Sequence, residues 1–489
     1  MDHAARARLR FAAALAASGA ALGAVSLLLR RRRRRAEESE PWELDVRSGV
    51  TTRADPAAPP KNWAFLSCGR VAHDYANALK CVDGAALYVV ATRSAADLPR
   101  AEAFRDLHGF QKAAGSYAEA LADPAVDVVY LSAMHSARVA HVTQILEAGK
   151  ACVVEKPLAC SAADGARLVK LAREKGVFMM EGMWTRCFPA VEKARKAIDD
   201  GVVGAVTAVI SDFGFDAADS GAYPVDASDP KSGDPIYHAS LGGGALLWAG
   251  PYPLAAGTLP FGATAPLRVA AAGVADPSTG IDLSCGLTLS YSKPGGPATA
   301  SKEGSCPPRG ATVSVYSRRA DTSPTPSRRR RGHDVDSPRG DESPRAYRYT
   351  SIDAETRETT TYVGQKGRVI VLPPAHCPTC LRIELKGAGR GAADATEETF
   401  AFPPPKRPFA KTPGGDFFYY PNSQGFAYEA AAVTRCLYAG LAECPQFTLD
   451  ESLRVLALID AGKEAVGAKK RELPSAPSVT STFVDALFS

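Results

Sequence analysis

From Asn62 onward, short apolar runs alternate with longer stretches in which apolar residues recur at helical spacing. Trp63 to Leu66 is wholly apolar and reads as a buried strand, and Ser67 to Ala72 turns it into a helix running to about Leu79. Ala86 to Ala91 makes a second strand, Leu98 to Leu107 a helix, the 109–114 region a short strand, and Tyr117 opens another helix. Val126 to Ser132 is a buried strand, Ala137 to Ala148 a helix stopped by Gly149, and Ala151 to Glu155 a strand ending in the charged pair Glu155-Lys156. Ser161 and Asp164 have capping-box spacing ahead of a helix that closes at Gly176. Strand and helix in this order predict an α/β fold built on a parallel, doubly wound sheet.

Further on, Ala205 to Phe215 and Ile281 to Tyr291 alternate in the manner of strands with one buried face, which predicts a second sheet. Between about 317 and 348 the text changes to Ser-Pro, Thr-Pro and Arg runs. That composition buries too little apolar surface to order itself and predicts a disordered insertion. Ser323, Ser337 and Ser343, each followed by Pro, are phosphorylatable beside the Arg328–Arg331 run, although a passive insertion is the simpler reading.

Phe11 to Leu29 carries no charge and approaches the roughly 20 residues that cross a bilayer core. Six arginines follow it, so the positive-inside tendency predicts a membrane anchor with the catalytic body in the cytosol. The alternative is an Ala- and Arg-rich transit peptide for a mitochondrion or plastid. Residues 1–60, ending in a Pro-rich linker, are thus expected to stand outside the fold. A nucleotide domain over 61–185, a second domain over 186–470 and a tail over 471–489 follow.

Composition narrows the function. The net charge of +5 comes largely from Arg30–Arg35 and Arg328–Arg331, so the body carries no general basic surface for nucleic acid. Eleven cysteines without a small-scaffold spacing favour reduced thiols. His376, Cys377 and Cys380 have ligand-like spacing, but no second pair lies at a finger-like distance, and no metal is expected.

The candidate chemistry begins at the first turn, Ser67-Cys68-Gly69-Arg70-Val71-Ala72, which has the shape of G-x-G-x-x-G/A with Ser67 in place of the first glycine. The middle glycine of such a turn lets backbone approach a pyrophosphate, and the helix amino terminus offers it free N–H groups. Thr92-Arg93-Ser94 ends the second strand where an acid would meet a ribose 2′-hydroxyl; hydroxyls and an Arg suit a 2′-phosphate, so NADP is expected over NAD. Lys156 stands at the carboxyl end of a strand, where open α/β sheets bind ligands.

With Glu155-Lys156-Pro157, Met180 to Pro189, Gly242 to Leu247, Gly250-Pro251-Tyr252-Pro253, Gly367-Arg368-Val369 with Cys377-Pro378-Thr379, and Gly425 to Ala430 in this order, the chain resembles the Gfo/Idh/MocA oxidoreductase family. The resemblance is to its dihydrodiol and D-xylose dehydrogenase branch, and covers about Trp63 to Lys469 apart from the insertion. It implies an amino-terminal Rossmann domain, a carboxy-terminal domain on a large, mostly antiparallel open sheet, and a homodimer through that sheet. It also implies that Glu155 and Lys156 lie at the cofactor, that Tyr252 is the acid/base, and that Trp184, Arg186 and Phe213 belong to the substrate pocket. An unperturbed Tyr is a poor base at neutral pH, and a neighbouring ammonium is expected to lower its pKa. Trp248 stands where the family has an Asp four residues before the Tyr, and an indole only donates.

Taken together, the sequence predicts an NADP-dependent oxidoreductase for a secondary alcohol or hemiacetal of a sugar, polyol or cyclic trans-diol. Its rivals are a membrane-tethered pseudoenzyme that binds nucleotide or a partner without turnover, and a scaffold acting through its basic runs.

Overall fold

The computed structural model describes residues 59–215, 229, 233–291, 311–313, 356–387 and 392–468. The expected 317–348 insertion and the 471–489 tail lie outside the described residues. So does the 11–29 segment, with its anchor or transit-peptide reading. Membrane anchoring is corrected: among the described residues no helix is long and apolar enough to cross a membrane. The apolar content of the 11–29 segment is mostly Ala, which offers only moderate insertion energy.

A six-stranded sheet in the order β3-β2-β1-β4-β5-β6 forms the first layer, every pairing parallel. Its elements are β1 (Lys61–Leu66), α1 (Arg70–Leu79), β2 (Ala85–Ala91), α2 (Leu98–His108), β3 (Lys112–Ala114), α3 (Tyr117–Ala122), β4 (Val128–Leu131), α4 (Arg138–Glu147), β5 (Ala151–Glu155), α5 (Ala162–Lys175) and β6 (Met179–Gly182). The central strands are apolar because helices cover both faces. The Tyr75 ring of α1 stacks on Tyr130 of β4 at 3.8 Å, and Phe65 of β1 lies 5.0 Å from Tyr130. The Ser161 hydroxyl accepts from Asp164 N at 3.2 Å, and Gly176 closes α5 at φ 63°, as the capping pattern predicts.

The chain continues through α6 (Pro189–Asp199), β7 (Val206–Ser211), α7 (Ala245–Trp248), α8 (Pro251–Thr258), β8 (Arg268–Ala275), β9 (Asp282–Ser290), β10 (Ala311–Val313), β11 (Thr360–Gly364), β12 (Gly367–Val371), β13 (Cys380–Lys386), β14 (Ala392–Thr399), α9 (Phe426–Tyr438) and α10 (Leu449–Ala465). The second layer is antiparallel. Among the described residues it forms a five-stranded sheet, β14-β13-β12-β11-β7, and a three-stranded sheet, β10-β9-β8.

The carboxy-terminal segment returns to the first layer. Gly165 of α5 allows α10 to close in, since a Cβ there would lie 2.5 Å from Leu456 Cδ1. The 408–420 stretch is tied to α1: Asp74 accepts from the amides of Tyr419 and Tyr420, and Asn77 binds Ala410 and Phe417. These contacts hold the two layers together beside the β-strand ends, where Lys156 emerges.

Candidate active site

Strand β5 carries four buried residues, Cys152 to Glu155, and delivers Lys156 directly past its carboxyl end. The Lys156 ammonium donates to Trp248 O at 2.7 Å and sits over the Tyr252 ring, 4.5 Å from its centroid. Tyr252 comes from the first turn of α8, which starts at Pro251 after the Gly250 cap and sets the Tyr252 ring beneath the Lys156 ammonium. Burial holds the Lys156 amine down to about 8, against the pull of Glu155.

Tyr252 departs from expectation. Burial pushes its hydroxyl well above the usual tyrosine value, the Glu155 charge adds to the rise, and only Trp184 opposes it strongly. The ammonium meets the face of the ring, so its stabilisation of a phenolate is outweighed by desolvation. Trp184 Nε1 donates to the Tyr252 oxygen at 3.3 Å, which leaves the Tyr252 hydrogen to be donated elsewhere.

Around the pair lie aromatic rings. Phe213 is 5.3 Å from Tyr252, and Trp184 stacks on Phe426 at 4.2 Å. His376 also borders the site, 5.4 Å from the Tyr252 ring. The sequence flags His376 only for its spacing to two cysteines, and among the described residues no group of three or more His, Cys, Asp or Glu is arranged to hold a metal. Arg186 lies apart from this group. It is 3% exposed, with its guanidinium on Glu451 Oε1 (3.0 Å) and Ala255 O (2.7 Å), an ion pair that ties the turn after β6 to α10.

Behind Lys156 the carboxylates are buried. Glu155 accepts from the Tyr130 hydroxyl at 2.8 Å and from Lys156 N at 3.2 Å, and burial raises its pKa against the pull of Arg138. Trp248 contributes its carbonyl to Lys156, while its indole donates to Gly242 O and packs 4.8 Å from His135. His135 is itself tied to Gly242 O through Nδ1 at 2.9 Å, a structural role.

At the other strand ends, Ser67 adopts φ 145°, a conformation natural to the glycine it replaces, and its Oγ accepts from Gly69 N. A Cβ on Gly69 would meet only Ser67 Oγ at 3.6 Å, so the fold itself does not require glycine there. No side chain caps α1, and the turn, with Arg70, Val71 and Ala72 opening the helix, fits an approaching pyrophosphate. Thr92 is buried and donates to Ser94 O, the Ser94 hydroxyl donates to Asp97 at 2.8 Å, and Arg93 is exposed. A cavity of about 550 Å³ lies beside Arg93 rather than over Lys156, lined in part by Ser116, Tyr117, His141 and Gln144. Arg100, which the sequence pattern does not single out, reaches Cys68 O of the turn at 3.2 Å.

A family model described as an oxidoreductase family with an NAD-binding Rossmann fold matches residues 61–183. The trans-1,2-dihydrobenzene-1,2-diol dehydrogenase of Sus scrofa is 30% identical over 406 residues, 83% of this chain and 96% of that protein. Its Homo sapiens namesake is 28% identical over 405 residues, with the same coverage of 83% and 96%. Among solved structures, a 3-ketoreductase from Actinomadura kijaniata in complex with NADP and TDP-benzene aligns at TM-score 0.55 and 20% identity, covering 83% of this chain and 98% of its own. A levoglucosan dehydrogenase in complex with NADH and L-sorbose aligns at TM-score 0.59 and 15% identity, covering 84% and 97%. At such identities these two structures speak to the fold alone. Six parallel strands with a nucleotide-type turn, an antiparallel second layer and a relative at this identity over most of both chains make this protein a member of the Gfo/Idh/MocA oxidoreductase family.

Proposed function

We propose that the protein is an NADP-dependent oxidoreductase acting on a secondary alcohol or hemiacetal of a sugar, polyol or cyclic trans-diol. The observation that carries the reading is the meeting of Lys156 and Tyr252 at the carboxyl end of β5. The turn amides of Gly69 to Ala72 would hold the pyrophosphate, Arg93 with Thr92 and Ser94 the 2′-phosphate, and Glu155 and Lys156 border the nicotinamide end. When bound, the nicotinamide takes or supplies the hydride. Tyr252, kept protonated by burial, donates a hydrogen bond to the substrate oxygen, and Lys156, with a pKa of about 8, exchanges the proton near neutrality. Trp184 and Phe213 form the apolar wall against which a ring or carbon chain lies.

The name of the relatives favours a cyclic trans-diol substrate, and the two fold neighbours, which hold NADP and NADH respectively, do not decide the cofactor. The preference for NADP therefore rests on the exposed Arg93 beside its cavity and on the absence of an acid within Thr92-Arg93-Ser94. Asp97, bonded to Ser94, works against it. The outward Leu267 and Val274, 61% and 50% exposed at the edge of the three-stranded sheet, support a homodimer through the second layer, which sedimentation of the full chain tests.

The test of function is reduced-nicotinamide absorbance with the full-length chain, NADP and a panel of cyclic diols and sugars. Turnover that needs Tyr252 supports the reading, and tight NADPH binding without turnover on any substrate replaces it with the nucleotide-binding pseudoenzyme. Arg93→Ala should reduce the ratio of NADPH to NADH affinity about tenfold or more, as loss of a charge-assisted phosphate contact requires. An unchanged ratio removes the NADP assignment.

A further inference from the structure

His376 is a polar ring set within the aromatic cluster around Tyr252. Its ring centroid lies 4.6 Å from Phe213, 5.4 Å from Tyr252 and 6.2 Å from Trp184. Its orientation is imposed from several sides. Nδ1 is 2.9 Å from Glu358 Oε2, and the His376 carbonyl accepts from the Thr185 hydroxyl.

Glu358 is unusual in its own right, since it holds φ 49° without being glycine. That left-handed conformation is kept by its neighbours: Asp212 accepts from Glu358 N at 2.9 Å and from Thr359 N at 3.3 Å, and Ala375 N donates to Glu358 O at 2.8 Å. A strained residue over-determined by its surroundings is a mark of functional positioning, and the Glu358 carboxylate is spent on His376.

The carboxylate only accepts, so His376 Nδ1 carries the hydrogen and Nε2 of the neutral ring is an acceptor. The partner of Nε2 is the Cys377 thiol at 3.3 Å, a weak donor with a second acceptor available in Pro421 O at 3.6 Å. A substrate hydroxyl is the stronger donor and can take that place.

We propose that His376, oriented by Glu358, is a specificity-determining substrate residue. Its Nε2 accepts from the hydroxyl adjacent to the one that reacts at Tyr252, so the site selects vicinal diols over mono-alcohols. The inference rests on the reading of Lys156 and Tyr252 as the reacting centre. A site built to bind a hydroxyl discriminates strongly against the analogue that lacks it, because its own polar group is then left unpaired.

The experiment compares kcat/KM for trans-cyclohexane-1,2-diol and for cyclohexanol in wild type, His376→Phe and Glu358→Gln, with NADP and the full-length chain. In His376→Phe the diol-to-mono-alcohol ratio should fall about 10²-fold, with a smaller fall in Glu358→Gln, where the ring loses its charged anchor. A ratio unchanged in both variants overturns the inference, because a packing role lowers both substrates together. If wild type oxidises neither alcohol nor any diol or sugar of the wider panel, the reading of the reacting centre has failed. Diol affinity of the NADP-loaded protein, read by tryptophan fluorescence, then decides separately, and equal affinity in wild type and His376→Phe overturns the role of His376.

Discussion

Lys156 Nζ stands over the Tyr252 ring and is held there by Trp248 O, 2.7 Å away. The bond is to backbone, so the indole at position 248 does not prevent the lysine from being oriented. Tyr252→Phe keeps the ring face that the ammonium contacts and removes only the hydroxyl. It should lower kcat by about 10²- to 10³-fold, the range of a lost hydrogen-bond donor to the reacting oxygen. NADPH affinity by fluorescence titration should stay within about twofold, since the hydroxyl is no part of the proposed nucleotide contacts. A comparable loss of NADPH affinity would move Tyr252 from the reaction to the binding of cofactor.

The first turn separates what the fold needs from what a cofactor needs. With Ser67 Oγ the sole near neighbour of an added Cβ, Gly69→Ala should change the unfolding free energy by no more than about 0.5 kcal/mol. NADPH affinity should nevertheless fall about tenfold or more, because the methyl occupies the space the pyrophosphate requires. Ser67→Gly is the converse: it releases φ 145° and loses one long hydrogen bond. The relief is on the order of 1 kcal/mol, seen as a higher denaturant midpoint. A lower midpoint for Ser67→Gly would show that the hydroxyl outweighs the strain.

Glu181, on β6 behind Lys156, accepts from Leu158 N at 3.0 Å with one oxygen, while the other faces Ser452 without hydrogen-bond geometry. Burial pushes its carboxyl up to about 7. Because the folded-state value is raised, the folded protein holds a proton between about 4.5 and 7 that the unfolded chain has released. Stability from this group is therefore greatest in acid and declines as pH rises through that window. Glu181→Gln keeps the acceptor for Leu158 N and cannot titrate. Its stability relative to wild type should rise between pH 5 and pH 8 by up to about 3 kcal/mol, the linkage limit for such a shift. Urea midpoints at the two pH values check this, and a constant difference would mean that Glu181 stays ionised throughout.

Local pattern carries the first layer well. Ala151–Glu155 is bounded as the apolar run predicts, and Ser161 caps α5 as its spacing demands, because both features depend on neighbours within a few residues. The site is less legible where burial or distant partners decide. The rise in the Tyr252 pKa comes from burial beneath groups contributed by separate elements, Phe213 among them, and from the Glu155 charge, while the Trp184 hydrogen bond opposes it, so an ammonium beside it in the motif is no guide to the sign. Arg186 looks like a pocket residue within its block, yet its acid partner Glu451 lies 265 residues away. His376 is anchored by a glutamate on the far side of β11 and β12, and the one signal in the sequence is a histidine before Cys-Pro-Thr.

Gly425 links helix packing to chemistry. It precedes α9 with an ordinary helical backbone, so its lack of a side chain answers to space, not conformation. A Cβ there would lie 2.0 Å from Phe188 Cζ and 2.6 Å from its Cε1. The Phe188 ring has little freedom to move, enclosed by Trp184 at 5.3 Å and Tyr428 at 5.5 Å. Trp184 in turn bonds the Tyr252 oxygen, so displacement of Phe188 is passed to the hydroxyl that donates to substrate. Gly425→Ala should cost about 1–3 kcal/mol, as overpacking does, and lower kcat more than it raises KM. Adding Phe188→Leu makes room for the methyl and should return most of the stability. If Gly425→Ala loses stability but keeps full kcat, Trp184 holds its place independently of Phe188, and Phe426, stacked on it at 4.2 Å, is the ring that sets the Tyr252 geometry.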